Sequence, residues 1–145
     1  MNERTPDREA SAISREAWLL MNDLVLANGR RREVSEALGL SFGRIRAIRR
    51  LARKTMSMGE LAGALGIDPP NATGLVDELE SQGLVRRRPH PTDRRAKVVE
   101  STRKGKTVAR RADAILGTPP AALSALPPDD LDALKRILQG LATQK

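Results

Sequence analysis

Residues 83–96 read Gly-Leu-Val-Arg-Arg-Arg-Pro-His-Pro-Thr-Asp-Arg-Arg-Ala, and they follow directly on two short helix patterns. Residues 84–88 and 97–101 predict two short strands, because the prolines and the Asp between them belong in a loop. The stretch therefore predicts a β-hairpin whose tip is basic.

The two helix patterns before the hairpin carry clear boundary signals. Ser57 and Glu60 match a capping box, and Gly66 can end the helix that they begin. Asp68 is a natural N-cap for the next helix, and Pro69 suits its first position. Two short helices joined by a tight turn predict a helix-turn-helix. A helix-turn-helix followed directly by a β-hairpin predicts a winged helix. In that motif the second helix enters the major groove of DNA, and the hairpin, or wing, reaches phosphates or the minor groove.

The outer parts of the chain predict further helices, so the expected fold class is mainly α with a small β-hairpin wing. Apolar residues recur at spacings of three and four in both outermost helices: Ile13, Ala17, Leu20, Met21, Leu24 and Val25 in the first, and Leu131, Leu134, Leu138 and Leu141 in the last. Shorter patterns at 34–38 and 41–53 and a helix capped by Thr102 lie between them. The apolar stripes must pack on something, either within the chain or on a second copy.

Composition excludes several classes of protein. The chain has 145 residues, which fits a single domain. Its net charge of +8 calls for an explanation, such as a negatively charged binding partner. The chain has no Cys and one His, which excludes a disulfide framework, a thiol nucleophile and a His-rich metal site. The absence of a long apolar run and of a signal-peptide pattern indicates a cytoplasmic protein without a membrane span.

The basic charge is concentrated in two blocks. Residues 42–54 hold six bases and no acid, and residues 86–111 hold eleven bases and two acids. Between them, residues 55–85 hold five acids and no base. The arginines of 42–54 fit either a solvated helix face or phosphate contacts, whereas so many arginines at a hairpin favour contact with nucleic acid.

Three segments resemble the MarR family of transcriptional regulators. They are Asp-Glu-Leu-Glu-Ser-Gln-Gly-Leu-Val-Arg-Arg at 77–87, Pro-Thr-Asp-Arg-Arg-Ala at 91–96 and Thr-Arg-Lys-Gly at 102–105. The resemblance implies a single domain over 1–145, with a DNA-binding lobe at about 41–111 and dimerisation helices at about 12–29 and 112–145. It also implies a homodimer that reads a pseudo-palindromic operator, often as a repressor that a small ligand releases.

The expected DNA-binding residues fall on the second helix and the wing. Helical phasing exposes Pro70, Asn71, Thr73 and Gly74, which are small or polar and suit close approach to base edges. On the wing the expected contacts are Arg86, Arg88, Arg94, Arg95 and Lys97. The resemblance implies that Arg94 lies at the wing tip, with Asp93 and Arg95 ordering the loop.

Other residues are less decisive. Trp18, Met21 and Phe42 suit core or dimer packing better than a ligand pocket, although they are the candidates for one, and His90 is expected to be an ordinary wing residue. We expect no cofactor and no metal. The leading function is a dimeric regulator that binds double-stranded DNA, and the alternative is a weakly specific architectural DNA-binding protein. An enzyme is disfavoured, because the paired acids fit helix surfaces and caps.

Overall fold

The computed structural model describes residues 5–143. Its elements are α1 (Thr5–Ala27), α2 (Arg30–Leu38), α3 (Phe42–Arg53), β1 (Met56–Ser57), α4 (Met58–Leu65), α5 (Pro69–Ser81), β2 (Val85–Pro89), β3 (Lys97–Ser101), α6 (Arg103–Leu116), α7 (Ala121–Ser124) and α8 (Pro128–Ala142). The strands form one antiparallel sheet in the order β1-β3-β2. The mainly α fold with a hairpin wing is confirmed. The ends of the predicted domain, residues 1–4 and 144–145, lie outside the described part.

The caps predicted for the helix-turn-helix are present. The Ser57 hydroxyl accepts from the amide of Glu60 at 3.1 Å, and the Glu60 carboxylate accepts from the amide of Ser57 at 2.9 Å. Asp68 accepts from the amide of Asn71 at 2.8 Å. Gly66 closes α4 at φ 68°, a left-handed conformation that favours glycine. Local sequence therefore fixes where α4 ends and α5 begins.

The core of the lobe lies between α3, the α4–α5 pair and the inner face of the sheet. Fully buried side chains come from every layer: Ile45, Ile48, Leu61, Val76, Leu79, Val85 and Val99. Burying one such side chain stabilises the fold by about 1.5–3 kcal/mol relative to leaving it in water. The aliphatic core holds α5 and the wing strands together as one unit.

The joint between the wing and α6 depends on Thr102 and Gly105. The Thr102 hydroxyl accepts from the amide of Gly105 at 3.1 Å and donates to the carbonyl of Gly83 at 2.7 Å. A Cβ atom added at Gly105 would lie 2.0 Å from the backbone oxygen of Leu84. Helix α6 can start against the backbone of Leu84 only because residue 105 has no side chain.

Helices α1 and α8 make few contacts with the lobe. Large apolar side chains on both are solvent-exposed in the single chain: Ile13, Trp18, Leu19, Leu20, Leu24, Val25, Leu26, Ile137, Leu138 and Leu141. Trp18 is 65% exposed, so it is not a core residue of one chain, whereas Phe42 packs against the core. Within residues 5–143, no helix is both long and apolar enough to cross a membrane.

The sequence did not predict two of these elements. Strand β1 has only two residues and exists because Met56 and Ser57 pair with Val99 and Val98. Helix α7 is a single turn after the prolines at 119–120. Neither is long enough to show a periodic pattern.

Candidate nucleic-acid interface

The outer face of α5 is small and open. The side chains of Pro70, Asn71 and Thr73 are exposed, and a Cβ atom built on Gly74 would meet nothing within 4 Å. Asn71 donates to the Asp68 carboxylate at 2.8 Å, and the Thr73 hydroxyl donates to the carbonyl of Pro69 at 3.1 Å. Both side chains keep an acceptor oxygen for an outside donor, and the missing side chain at residue 74 allows close approach to the helix backbone.

The acids at the carboxyl-terminal half of α5 are paired with arginines from other elements. Arg87 of β2 lies on the core-facing side of its strand and bonds Asp77 and, at 2.7 Å, Glu80. The hydrogen bond with Asp77 raises the pKa of Arg87 above its usual range, so the side chain stays charged. Arg87 thus pairs with two carboxylates that the sequence alone leaves unpaired, and it offsets one of their two negative charges.

A second arginine does the same from α3. Arg44 binds Glu78 and also donates to the Ser41 hydroxyl at 2.8 Å. Because partly exposed pairs are worth at most about 1 kcal/mol each, they contribute more to the charge of the α5 face than to stability. Two arginines thus pair with Asp77, Glu78 and Glu80, and the net charge of this group is −1 instead of −3.

The basic block on α3 is therefore neither simply solvated nor simply available for phosphates. Arg44 binds Glu78, Arg49 binds Asp113 at 2.5 Å, and Arg53 lies 3.8 Å from the same Asp113 carboxylate. The pairs connect α3 with α5 and α6. Arg46, Arg50 and Lys54 have no carboxylate within 4.0 Å among the side chains that the structure describes. Arg46 donates to the carbonyl of Leu65 at 3.5 Å, so Arg50 and Lys54 are the more available for outside contacts.

The outer face of the wing strands holds Arg86 and Arg88 on either side of Glu100. Arg86 lies opposite Glu100 in the ladder and bonds it, while Arg88 lies 3.4 Å from the same carboxylate. The hydrogen bond from Arg86 lowers the pKa of Glu100, which is therefore ionised at neutral pH. Both predicted wing arginines are more than half exposed, and together with Glu100 they leave one net positive charge.

The wing tip is ordered by its own side chains. Asp93 accepts from the amide of Arg95 at 2.9 Å, and its carbonyl accepts from the amide of Ala96 at 3.2 Å. His90 accepts through Nδ1 from the amides of Thr92 at 3.2 Å and Asp93 at 3.1 Å. The sequence reading of His90 as an ordinary wing residue is thus incomplete, since its ring helps to shape the loop.

Three of the predicted contacts lie at the wing tip, two of them in this loop and one at the start of β3. Arg94, Arg95 and Lys97 are exposed. No ion pair joins any of them to a carboxylate within the described part of the chain. The wing tip consequently offers three cations that form no ion pair, and together with the nearby Asp93 carboxylate they leave a net charge of about +2.

A separate cleft of about 580 Å³ lies between α1, α2, α3 and the α6–α7 connection. Phe42 lines it beneath the Arg31 guanidinium, which is 4.8 Å from the ring centroid. Trp18 and Met21 do not line this cleft, so the three candidate ligand residues are not brought together. Arg30 also lines it, and its Nε is buried without a hydrogen-bond partner among the described residues.

The fold and the arrangement of α5 and the wing define a winged-helix protein. Comparison with known proteins then indicates the family that it resembles. Residues 38–96 match the profile of the MarR family. The uncharacterized HTH-type transcriptional regulator YfiV of Bacillus subtilis is 33% identical over 103 residues, which cover 69% of this chain and 64% of that relative. Over residues 38–96, which contain the helix-turn-helix and the wing as far as its tip, the chain therefore matches the MarR family.

Solved structures agree on the fold. A MarR-family transcriptional regulator from Silicibacter pomeroyi has a TM-score of 0.67 at 27% identity, covering 89% of this chain and 90% of that one. Wild-type MarR from E. coli has a TM-score of 0.66 at 20% identity, covering 84% and 93%. NadR in complex with 4-hydroxyphenylacetate has a TM-score of 0.62 at 24% identity, covering 100% and 98%. The family named from the wing residues is confirmed, and the regulators among these proteins agree with the expectation that the chain is not an enzyme.

Proposed function

We propose that the protein is a homodimeric transcriptional regulator, acting as a ligand-responsive repressor that binds a pseudo-palindromic operator through α5 and the wing. The observation that carries the proposal is the separation of charge between these two elements. The α5 face is small and has its acids paired, whereas Arg94, Arg95 and Lys97 keep their charge. Such a surface suits base edges at the helix and phosphates at the wing.

In this proposal α5 enters the major groove by its first turns. Asn71 and Thr73 reach base edges, and the open backbone at Gly74 permits a short distance to them. Arg94 enters the minor groove or follows its phosphates, and Arg95, Lys97, Arg86 and Arg88 add sequence-independent attraction. The helix supplies the choice of sequence, and the wing supplies most of the affinity.

Selection of bound genomic DNA fragments at physiological salt tests this function. A sequence-specific regulator enriches a small set of fragments that share a two-fold symmetric pattern. A weakly specific architectural protein, by contrast, enriches no common pattern. It binds all fragments with the same steep salt dependence. Recovery without a common pattern would refute the regulator proposal.

The dimer is proposed from the exposed apolar faces of α1 and α8. A monomeric soluble protein rarely leaves so large an apolar surface uncovered, and a second copy brings identical faces together. On this basis the DNA-binding lobe spans about 41–111, and the dimerisation helices span about 12–29 and 112–145. Removal of residues 129–145 is expected to abolish dimerisation in analytical ultracentrifugation. A truncated chain that still sediments as a folded dimer would contradict the arrangement.

The effector site is proposed at the cleft beside Phe42. Its apolar wall suits the hydrocarbon part of a small organic carboxylate, and Arg30, whose Nη1 binds Glu33 at 2.6 Å while its Nε has no partner among the described residues, lies on the lining. The ligand named for the NadR structure is such a carboxylate. Titration calorimetry with a panel of aromatic and aliphatic carboxylates tests this, with Phe42→Ala and Arg30→Gln as variants. Equal binding by the wild type and both variants would place any effector elsewhere.

A further inference from the structure

A second concentration of positive charge lies at the base of the wing, at the opposite end of the hairpin from its tip. A cleft of about 640 Å³ is formed there by the start of β2, the end of β3 and the exposed side of α6. We name it the basal cleft. Its lining includes four cations and two side-chain hydroxyls used below: Arg86, Arg103, Lys106, Arg110, Ser101 and Thr107.

The cations of the basal cleft converge because of helical spacing. Arg103, Lys106 and Arg110 follow one another at three and four residues, which places them on one side of α6. Like charges at these spacings destabilise a helix, and no carboxylate lies within ion-pair distance of the three in the part of the chain that the structure describes. An anion bound in the cleft would offset this repulsion.

The nearby acids are already engaged elsewhere. Glu100 binds Arg86 and lies near Arg88, and Asp113 binds Arg49 of α3. Glu100 is therefore the one carboxylate in contact with a cation of the cleft, counting only described residues. The basal cleft keeps a net charge of about +3 after that pairing.

Hydroxyl groups complete the lining. Ser101 is 8% exposed, and its hydroxyl donates to the carbonyl of Thr102 over a long 3.3 Å. Arg110 donates to the Thr107 hydroxyl at 3.1 Å, a contact that orients its guanidinium along the cleft. The lining is thus a cationic wall with a buried polar side chain beside it, which does not suit an apolar ligand.

We propose that the basal cleft binds a ligand carrying two or more phosphate groups. Several cations match several phosphate charges, and the forked guanidinium donors of Arg86, Arg103 and Arg110 suit phosphate oxygens. The volume exceeds that needed for one phosphate. The groups could belong to a free polyphosphate or to the backbone of bound DNA that passes the base of the wing. The proposal for a free polyphosphate does not depend on the proposed function.

The first experiment measures the free anion. Inorganic triphosphate is titrated into the protein at physiological salt, and the wild type is compared with K106Q/R110Q. The matched control R8Q/R32Q removes two exposed arginines, one from α1 and one from α2, that neither line the cleft nor lie in the segments proposed for DNA binding and dimerisation. We expect K106Q/R110Q to bind triphosphate at least tenfold more weakly and the control to bind within twofold of the wild type. Circular dichroism checks that all three proteins are folded.

The second experiment identifies DNA as the source. The logarithm of the DNA affinity is measured against the logarithm of the salt concentration for the same three proteins. If the wild type does not bind triphosphate, but K106Q/R110Q lowers the slope by about two and the control does not, the phosphates belong to DNA. The proposal is overturned if K106Q/R110Q matches the wild type in both experiments, or if the control loses as much. Triphosphate binding by a protein that does not bind DNA would sustain this inference and refute the proposed function.

Discussion

Helix α5 and the wing tip differ in what happens to their charges. Every acid in the second half of α5 is bound by an arginine from another element, Arg44 or Arg87. At the wing tip, by contrast, no carboxylate among the described residues forms an ion pair with Arg94, Arg95 or Lys97. The helix therefore presents shape and hydrogen-bonding groups, and the wing presents charge. The comparison teaches that the net charge of a sequence block does not tell which of its charges remain available to a ligand.

Disrupting the joint that connects the two elements is expected to have the largest effect. Gly105→Ala puts a Cβ atom 2.0 Å from the carbonyl of Leu84, and backbone must move to relieve the contact. We expect a loss of about 2–3 kcal/mol in the free energy of unfolding, measured by urea denaturation. Gly63→Ala is the control, because its Cβ would meet nothing within 4 Å in a helix, and it should be neutral or stabilising. Equal stability of both variants would contradict the packing described here.

Removing a free charge from the wing is expected to rank second. If Arg94 lies beside phosphates, Arg94→Ala weakens operator binding by roughly 1–3 kcal/mol and lowers the salt slope by about one unit. Fluorescence anisotropy over a range of salt concentrations measures both quantities. Arg32→Ala, which removes an exposed arginine of α2 outside the segments proposed for DNA binding and dimerisation, should change neither. Unchanged affinity and slope for Arg94→Ala would remove this residue from the interface.

Removing Arg87, the arginine that pairs with two acids of α5, should increase the net negative charge of that helix face. Arg87→Met leaves Asp77 and Glu80 uncompensated, and we expect DNA binding to weaken by about 1–2 kcal/mol, because each freed carboxylate repels phosphate. Neutralising the acids as well, with Asp77→Asn and Glu80→Gln in the same chain, should restore most of the affinity. A triple variant that binds as weakly as Arg87→Met would show that the arginine itself contacts DNA.

The helix and wing should also differ in what they discriminate. Asn71→Ala and Thr73→Ala are each expected to reduce the preference for operator over random DNA by about 0.5–1.5 kcal/mol, the value of a lost hydrogen bond, with little change on random DNA. Arg88→Ala should weaken binding to both DNAs alike. Competition assays with the two DNAs compare the variants. Identical behaviour of the helix and wing variants would favour the architectural alternative.

The smallest expected effect concerns Glu100. Its pKa is lowered by Arg86, so its favourable interaction is present at neutral pH and is lost as the pH falls through that lowered value. Glu100→Gln removes this acid-dependent loss of stability, which thermal unfolding between neutral pH and pH about 3 can follow. The same variant frees Arg86 and Arg88, and it should tighten binding to operator and random DNA equally. Tighter binding to operator alone would contradict a purely electrostatic role.

Much of the fold could be predicted because its signals are local. Ser57, Asp68, Gly66 and Thr102 act through groups within four residues or so, and the structure has each cap where the sequence places it. The strand β1 could not be predicted in this way. Its two residues are held by pairing with β3, some forty positions along the chain, and nothing in their own sequence indicates a strand.

The candidate site was predictable only in part for a similar reason. Exposure of Pro70, Asn71 and Thr73 follows from helical phasing, but the role of Arg87 depends on which side of β2 faces α5. Three adjacent arginines look alike in a sequence, and only the register of the hairpin separates the middle one from its neighbours. His90 was missed because its partners are backbone amides, which no side-chain pattern reveals.

The short strand β1 also bears on how the lobe opens. Its pairing with β3 closes a single loop of chain that contains α4, α5 and β2, so the two ends of that segment stay together while the ladder is intact. The conformational entropy lost on closing this loop is lost once for the whole segment. We therefore expect α4, α5 and β2 to become protected from amide exchange together. Their amides should therefore exchange with solvent deuterium at a common, slow rate set by cooperative opening of the lobe, whereas the amides of α8 exchange earlier through local fraying.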